Sequence, residues 1–186
     1  MKELNLNLGC WHREIPGWIH IDYCDFPHID FKSNIDDLSM FKDNTVDLIY
    51  SSHSFEYFDI EHAPKVLKEW RRVLKPDGLL RIAVPDFDAL VNLYKLTGDI
   101  KSILGPLFGR MEIETKSTKK MLFHKTAYTF KSLKGLLESN GFQYVERYDW
   151  KQTIHKDYDD HSQAYYPHMD KEKGLLLSLN IEAIKK

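Results

Sequence analysis

Between Leu4 and Asp22 the chain runs through an alternating segment, one glycine, a short bridge and a second apolar segment that ends in an acid. Leu4, Leu6 and Leu8 alternate with Asn5 and Asn7, which predicts a strand with one apolar and one polar face. Parallel strands are covered on both faces. The stretch from Trp11 to Trp18, broken by Pro16 and Gly17, is too short for a full crossover helix. The first helix is therefore expected to be truncated, leaving the Asn7 face open or hydrogen-bonded inside a site. An acid closing the second strand beside a glycine turn is how an open α/β sheet grips a ribose diol, so Gly9 and Asp22 read as a nucleoside-binding pair. A dinucleotide fingerprint fits poorly. Only one of its three glycines is present, Cys10 and Trp11 follow it, and Asp22 comes well before the roughly twenty residues such a fingerprint leaves.

With 186 residues the chain reads as a single domain over 1–186, long enough to bury about 70% of the surface its unfolded form exposes. Lys and Arg total 26 against 28 Asp and Glu, a formal net charge of -2 with no basic stripe, so a nucleic-acid partner is not expected. Cys10 and Cys24 form no CxxC pair and read as small semi-buried residues. The first residues have no apolar signal core, and no run approaches the ~18 apolar residues of a membrane span. A cytoplasmic protein without membrane insertion is expected.

Beyond Asp22, apolar runs alternate with helical patterns, which favours a mostly parallel sheet with crossover helices. Strands are predicted at 18–23, 29–31, 46–51, 79–84, 142–148 and 175–184, and helices at 60–74, after Pro85-Asp86 and at 130–139. Gly98 to Tyr128 reads as irregular, with Gly105, Pro106 and Gly109 early in it and Lys116, Lys119, Lys120 and Lys125 late. These lysines read as a solvated loop or as an attraction for an acidic acceptor. The loop between the last two strands carries His155, His161 and His168 among Asp157, Asp159 and Asp160, at spacings that fit no standard zinc or calcium pattern, so no metal is expected. Glu56 reads as a first-turn acid complementing a helix dipole.

Five segments in order resemble the class I S-adenosylmethionine-dependent methyltransferases: Leu6 to Gly9, Asp22, Asp36-Asp37, Phe41 to Ile49 with Ser51 to Tyr57, and Arg72 to Gly78. Pro16-Gly17-Trp18, Val84-Pro85-Asp86 and Tyr165 to His168 look like a compact bacterial branch often associated with cell-surface glycans. The resemblance implies a Rossmann-like α/β fold, mostly parallel with an antiparallel last strand, and S-adenosyl-L-methionine as cofactor. It implies cofactor binding by Asn7, Gly9, Cys10, Asp22, Asp36, Asp37 and Ser52, with Asp22 on the ribose hydroxyls and Asp36 or Asp37 on the adenine amino group. Trp11 stands where the family has glycine, and Tyr57 where it has histidine.

Ligands of an open parallel sheet sit at the carboxyl ends of its strands. Residues 86–128 and 151–174 are accordingly expected to be lid-like insertions over a small-molecule acceptor. A hydroxyl acceptor needs a base within reach, and His53, Asp86 and His124 are the candidates. The expected activity is methyl transfer to a small molecule such as a sugar or surface-glycan precursor. Rival readings are a non-catalytic binding protein of the same fold and a nicotinamide-dependent oxidoreductase. Oligomeric state stays open.

Overall fold

The structure is a computed structural model that describes residues 3–114 and 119–186. One seven-stranded sheet has the order β3-β2-β1-β4-β5-β11-β8, built from β1 (Asn5–Leu8), β2 (Ile19–Asp22), β3 (Phe31–Lys32), β4 (Val46–Ser52), β5 (Leu74–Pro85), β8 (Phe142–Arg147) and β11 (Ser178–Lys185). Strand β11 runs antiparallel to both neighbours and the remaining pairings are parallel. This is the expected α/β Rossmann-like sheet. Two small antiparallel pairs, β6 (Met111–Glu114) with β7 (Lys119–Leu122) and β9 (Tyr165–Tyr166) with β10 (Leu175–Leu176), stand outside it.

Helix α1 (Ala63–Val73) forms because Ala63, Val66, Leu67, Trp70 and Val73 recur at helical spacing, with Pro64 in the first turn where no N–H is needed. All five are buried, and the Trp70 indole N–H donates to the Ile35 carbonyl at 2.7 Å. The chain then passes straight into β5. Register slips between Val46 and Leu48, so Pro76-Asp77-Gly78 form a bulge within that strand. Helix α2 (Phe87–Thr97) is capped by Asp86 and stopped by left-handed Gly98. Helix α4 (Phe130–Ser139) begins with a Thr129–Ser132 capping box.

The two sheet faces are covered differently. Leu6, Leu8, Ile21, Ile49, Ile82 and Ile181 pack beneath α1 and α4 in the main core. On the other face Ile15, Leu48 and Tyr50 form a smaller cluster, because no helix joins β1 to β2. The truncated helix expected there is absent altogether. The loop after β8 takes its place: the Tyr50 hydroxyl donates to Asp160 Oδ2 at 2.6 Å, and the His155 ring lies 4.2 Å from the Tyr50 ring.

The segment expected to be irregular contains helix α3 (Lys101–Phe108) and the β6–β7 hairpin. Ile103 of α3 joins Leu90, Leu93 and Leu177 in a third apolar cluster, which seats this segment at the carboxyl edge of the sheet.

Candidate active site

A cavity of about 940 Å³ opens at the carboxyl ends of β1, β2 and β4. Seven of the ten residues singled out from the sequence for cofactor or catalysis face it from this side: Asn7, Gly9, Cys10, Asp22, Asp36, Ser52 and His53. Its far wall comes from the α3 to β7 segment and from Tyr158 to Ala164.

Gly9 turns the chain out of β1 with φ +68°, and a Cβ there would lie 2.2 Å from Ser54 Oγ. Ser54 in turn donates to the Gly9 carbonyl at 2.9 Å, so the glycine turn is clamped to the end of β4. Trp11 keeps the conformation glycine favours, with φ +48°, and its ring is partly exposed. Asp22 is 7% exposed and holds this loop: Oδ2 accepts the Trp11 N–H and Oδ1 the Cys24 N–H, each at 2.7 Å. A carboxylate has about four lone-pair sites, so capacity remains for a diol. Cys10 is buried beside His28, and burial pushes its thiol up to about 12, which suits packing and not nucleophilic chemistry.

The two adjacent acids part company. Asp36 lines the cavity and pairs with His62 Nε2 at 3.0 Å. Asp37 is exposed, caps the Ser39 N–H at 3.0 Å and is not in the cavity wall. Ser52 is there, and its buried hydroxyl has no hydrogen-bond partner among the described residues.

The three candidate bases also separate. Asp86 caps α2, accepts from Arg147 at 3.0 Å and is not in the cavity wall. His53 and His124 meet there, although 71 positions separate them. His53 sits at φ +51° just past β4, with Nε2 3.0 Å from Ser178 Oγ. His124 has Nδ1 3.1 Å from the Pro106 carbonyl, and its ring meets Tyr57 edge-on at 4.8 Å. Between them lies Glu56, 0% exposed, with His53 Nδ1 at 3.5 Å and His124 Nε2 at 3.6 Å from its Oε1. Burial pushes the Glu56 carboxyl up to about 8, and burial also lowers both imidazoles, His53 the more strongly. From sequence Glu56 reads only as a first-turn acid, because its spacing in Ser-Phe-Glu-Tyr is that of an ordinary helix start.

Among the lysines, Lys119 pairs with Glu112 at 3.2 Å, while Lys120 and Lys125 line the cavity beside Arg110. Lys116 lies outside the described residues. Among the described residues no His, Cys, Asp and Glu cluster has the makings of a metal site, and no helix is long and apolar enough to cross a membrane.

The wall suits an adenosine-bearing group. It offers a carboxylate with spare acceptor capacity at the end of β2, a second acid in Asp36, and a buried hydroxyl on Ser52 that makes no hydrogen bond among the described residues. Residues 20–82 match the family model of a methyltransferase domain. No curated protein matches the chain. Among solved structures, a SAM-dependent methyltransferase from Archaeoglobus fulgidus is similar at 18% identity and TM-score 0.57, covering 98% of this chain and 86% of that one. One from Methanosarcina mazei has 19% identity and TM-score 0.55, covering 100% and 94%. The 1,6-didemethyltoxoflavin-N1-methyltransferase of Burkholderia thailandensis, solved with bound 1,6-didemethyltoxoflavin and S-adenosylhomocysteine, has 13% identity and TM-score 0.54, covering 98% and 71%. At these identities the structures carry the fold alone, which is that of the class I methyltransferases. The matched segment is thus a methyltransferase domain, set within a fold of the class I methyltransferase type.

Proposed function

We propose that this enzyme methylates a small polar molecule, a sugar or surface-glycan precursor, in the cytoplasm. The observation that carries the cofactor half of this reading is the Asp22 carboxylate, buried in the cavity wall beside the Gly9 turn. Asp22 accepts the ribose hydroxyls, Asp36 takes the adenine amino group, and the backbone at Gly9 and Cys10, together with Asn7, borders the methionine part. Ser52 supplies its free hydroxyl at the methyl-bearing end. When bound, the cofactor supplies an electrophilic methyl group on a sulfonium.

This chain's own residues then have three tasks. The 86–128 and 151–174 segments close over the sheet edge and exclude water, which favours a reaction in which charge is neutralised. Arg110, Lys120 and Lys125 at the wall favour a hydroxylated or anionic acceptor. His53 and His124 receive the proton that a hydroxyl acceptor must lose. Pockets for drug-sized ligands span about 300–1,000 Å³, so a cavity at the top of that range holds a nucleoside cofactor and a small acceptor together.

Calorimetric titration with S-adenosylhomocysteine and with NADH tests the reading. Binding of the homocysteine compound alone is expected; binding of NADH alone contradicts it. Transfer of labelled methyl from S-adenosylmethionine to a pool of nucleotide sugars and sugar phosphates tests the acceptor class. A non-catalytic role is the outcome if the cofactor product binds and no acceptor of any class takes label, and the Trp11 N–H already seated on Asp22 is the feature that would favour it.

A further inference from the structure

We propose that Glu56 holds one proton shared with His53 and His124, and that this three-membered cluster is the proton acceptor of the site. The proposal rests on the methyltransferase reading above. It begins with the far nitrogens of the two rings. The Asn180 amide N–H donates to the Ser162 carbonyl at 2.9 Å, which turns its Oδ1 toward Ser178, and the Ser178 hydroxyl spends its only proton on that oxygen at 2.8 Å. Ser178 Oγ can therefore only accept from His53 Nε2 at 3.0 Å, so His53 carries its proton there. His124 Nδ1 faces the Pro106 carbonyl at 3.1 Å, and a carbonyl only accepts, so His124 carries its proton on Nδ1.

The two remaining ring nitrogens, His53 Nδ1 and His124 Nε2, are then bare in the neutral rings and lie 3.5 and 3.6 Å from the same Glu56 oxygen. Among the described residues neither carboxyl oxygen of Glu56 makes a hydrogen bond, and the side chain is fully buried. Three acceptors converge on one dry spot, and only a proton among them removes the repulsion. A protonated Glu56 supplies it, in keeping with the upward push that burial gives its carboxyl, to about 8. The other groups near the cluster are His161, whose ring is 5.3 Å from that of His53, the Tyr57 phenol against His124, and the Tyr128 phenol. The backbone carbonyl of Glu56 accepts from the Lys125 and Thr126 N–H groups at 2.9 and 3.2 Å, which ties the carboxyl's own segment to the strap carrying His124.

The cluster has room for one proton more. When an acceptor hydroxyl is methylated, its O–H pair stays on oxygen to bond the methyl carbon, and the carbon–sulfur pair returns to sulfur. The released proton adds to the ring nitrogen that Glu56 leaves bare. The positive charge lost from sulfur reappears on an imidazole beside Glu56, which can surrender its own proton to the second ring and pair with both.

Nitrogen-15 NMR of the histidine side chains tests this without turnover. At pH 7 the wild-type protein is expected to show His53 neutral with the proton on Nε2 and His124 neutral with the proton on Nδ1. In E56Q the carboxylate that would stabilise an imidazolium is gone, so protonation of this pair on acidification is expected to move down by about one pH unit or more, a tenfold change. An imidazolium at either position in the wild type at pH 7, or an unchanged midpoint in E56Q, overturns the proposal. The wild-type tautomers decide it even if E56Q does not fold. S-adenosylhomocysteine titration of the wild type separates the two levels: absence of binding overturns the methyltransferase reading and the acceptor role with it, whereas binding accompanied by either adverse NMR result overturns the cluster alone.

Discussion

The backbone N–H of Trp11 donates to Asp22 Oδ2 across 2.7 Å, so the acid ending β2 also fixes the turn that leaves β1. The family pattern has glycine at position 11, and Trp11 preserves that backbone shape at φ +48° at a cost of roughly 1–2 kcal/mol for a non-glycine residue. The loop geometry is thus kept by a hydrogen bond in place of a permissive residue.

Gly9 has no comparable substitute. Gly9→Ala would force a Cβ onto Ser54 Oγ at 2.2 Å and Ser54 Cβ at 2.6 Å while straining φ. We expect a loss of at least about 2 kcal/mol in urea denaturation, the combined scale of left-handed strain and overpacking. Adding Ser54→Gly should restore part of it. Additive losses in that double-mutant cycle would show that the contact is not the cause.

The Tyr50–Asp160 hydrogen bond pins the loop that replaces the missing helix over Ile15, Leu48 and Tyr50. Tyr50→Phe removes the donor and leaves a partly buried carboxylate short of a partner, for an expected loss of about 1–3 kcal/mol. Hydrogen exchange should quicken in residues 153–164 ahead of β4 and β5. Uniform quickening across the sheet would mean that the loop is not separately held.

Asp86 stands at the α2 N-terminus with Arg147, and its side chain is spent on structure. Asp86→Ala should cost about 1–3 kcal/mol through the lost cap and ion pair, with S-adenosylhomocysteine affinity unchanged. A stable variant with weakened binding would return Asp86 to the site.

Stability should fall on the acid side. Burial lowers the His155 imidazole to about 4, and lowers His53, His124 and His161 as well. A group depressed in the folded state stabilises above its unfolded pKa near 6.5 and loses that contribution as pH falls toward the folded value. His155 Nε2 is buried with no hydrogen-bond partner among the described residues, and its ring lies against Tyr50. His155→Phe should therefore keep the ring packing and lose less stability than wild type between pH 6.5 and 4, as read from urea midpoints. Parallel curves would remove His155 as a cause. Glu56 acts in the opposite sense, contributing most below about 4.5 and progressively less as pH rises to about 8.

Much of this fold was legible from periodicity. Alternation marked β1, helical spacing marked α1 and α4, and the short Trp11 to Trp18 bridge ruled out a full crossover helix, though not the short one expected in its place. Helix α3 was not legible, because Gly105 and Pro106 inside it carry the composition of a turn. The loop covering Tyr50 was also hidden, since its buried residues, Thr153, His155, Ser162 and Gln163, are polar by type and buried only through tertiary contacts. At the cavity, the places of Asp22, Asp36 and Ser52 in the wall were legible from strand ends and motif order. Glu56 did not, because its partners His53 and His124 come together only when the segment after α3 folds back over β4. Asp86 misled for a related reason: a strand-end acid and a helix cap look alike in sequence.

Calorimetry of S-adenosylhomocysteine binding to the wild-type protein and to Asp22→Ala tests the central claim most directly. Hydrogen bonds to a charged group contribute about 1.5–3 kcal/mol, so the variant, if folded by circular dichroism, should bind roughly 10- to 150-fold more weakly. Equal affinity in the two proteins would contradict the account.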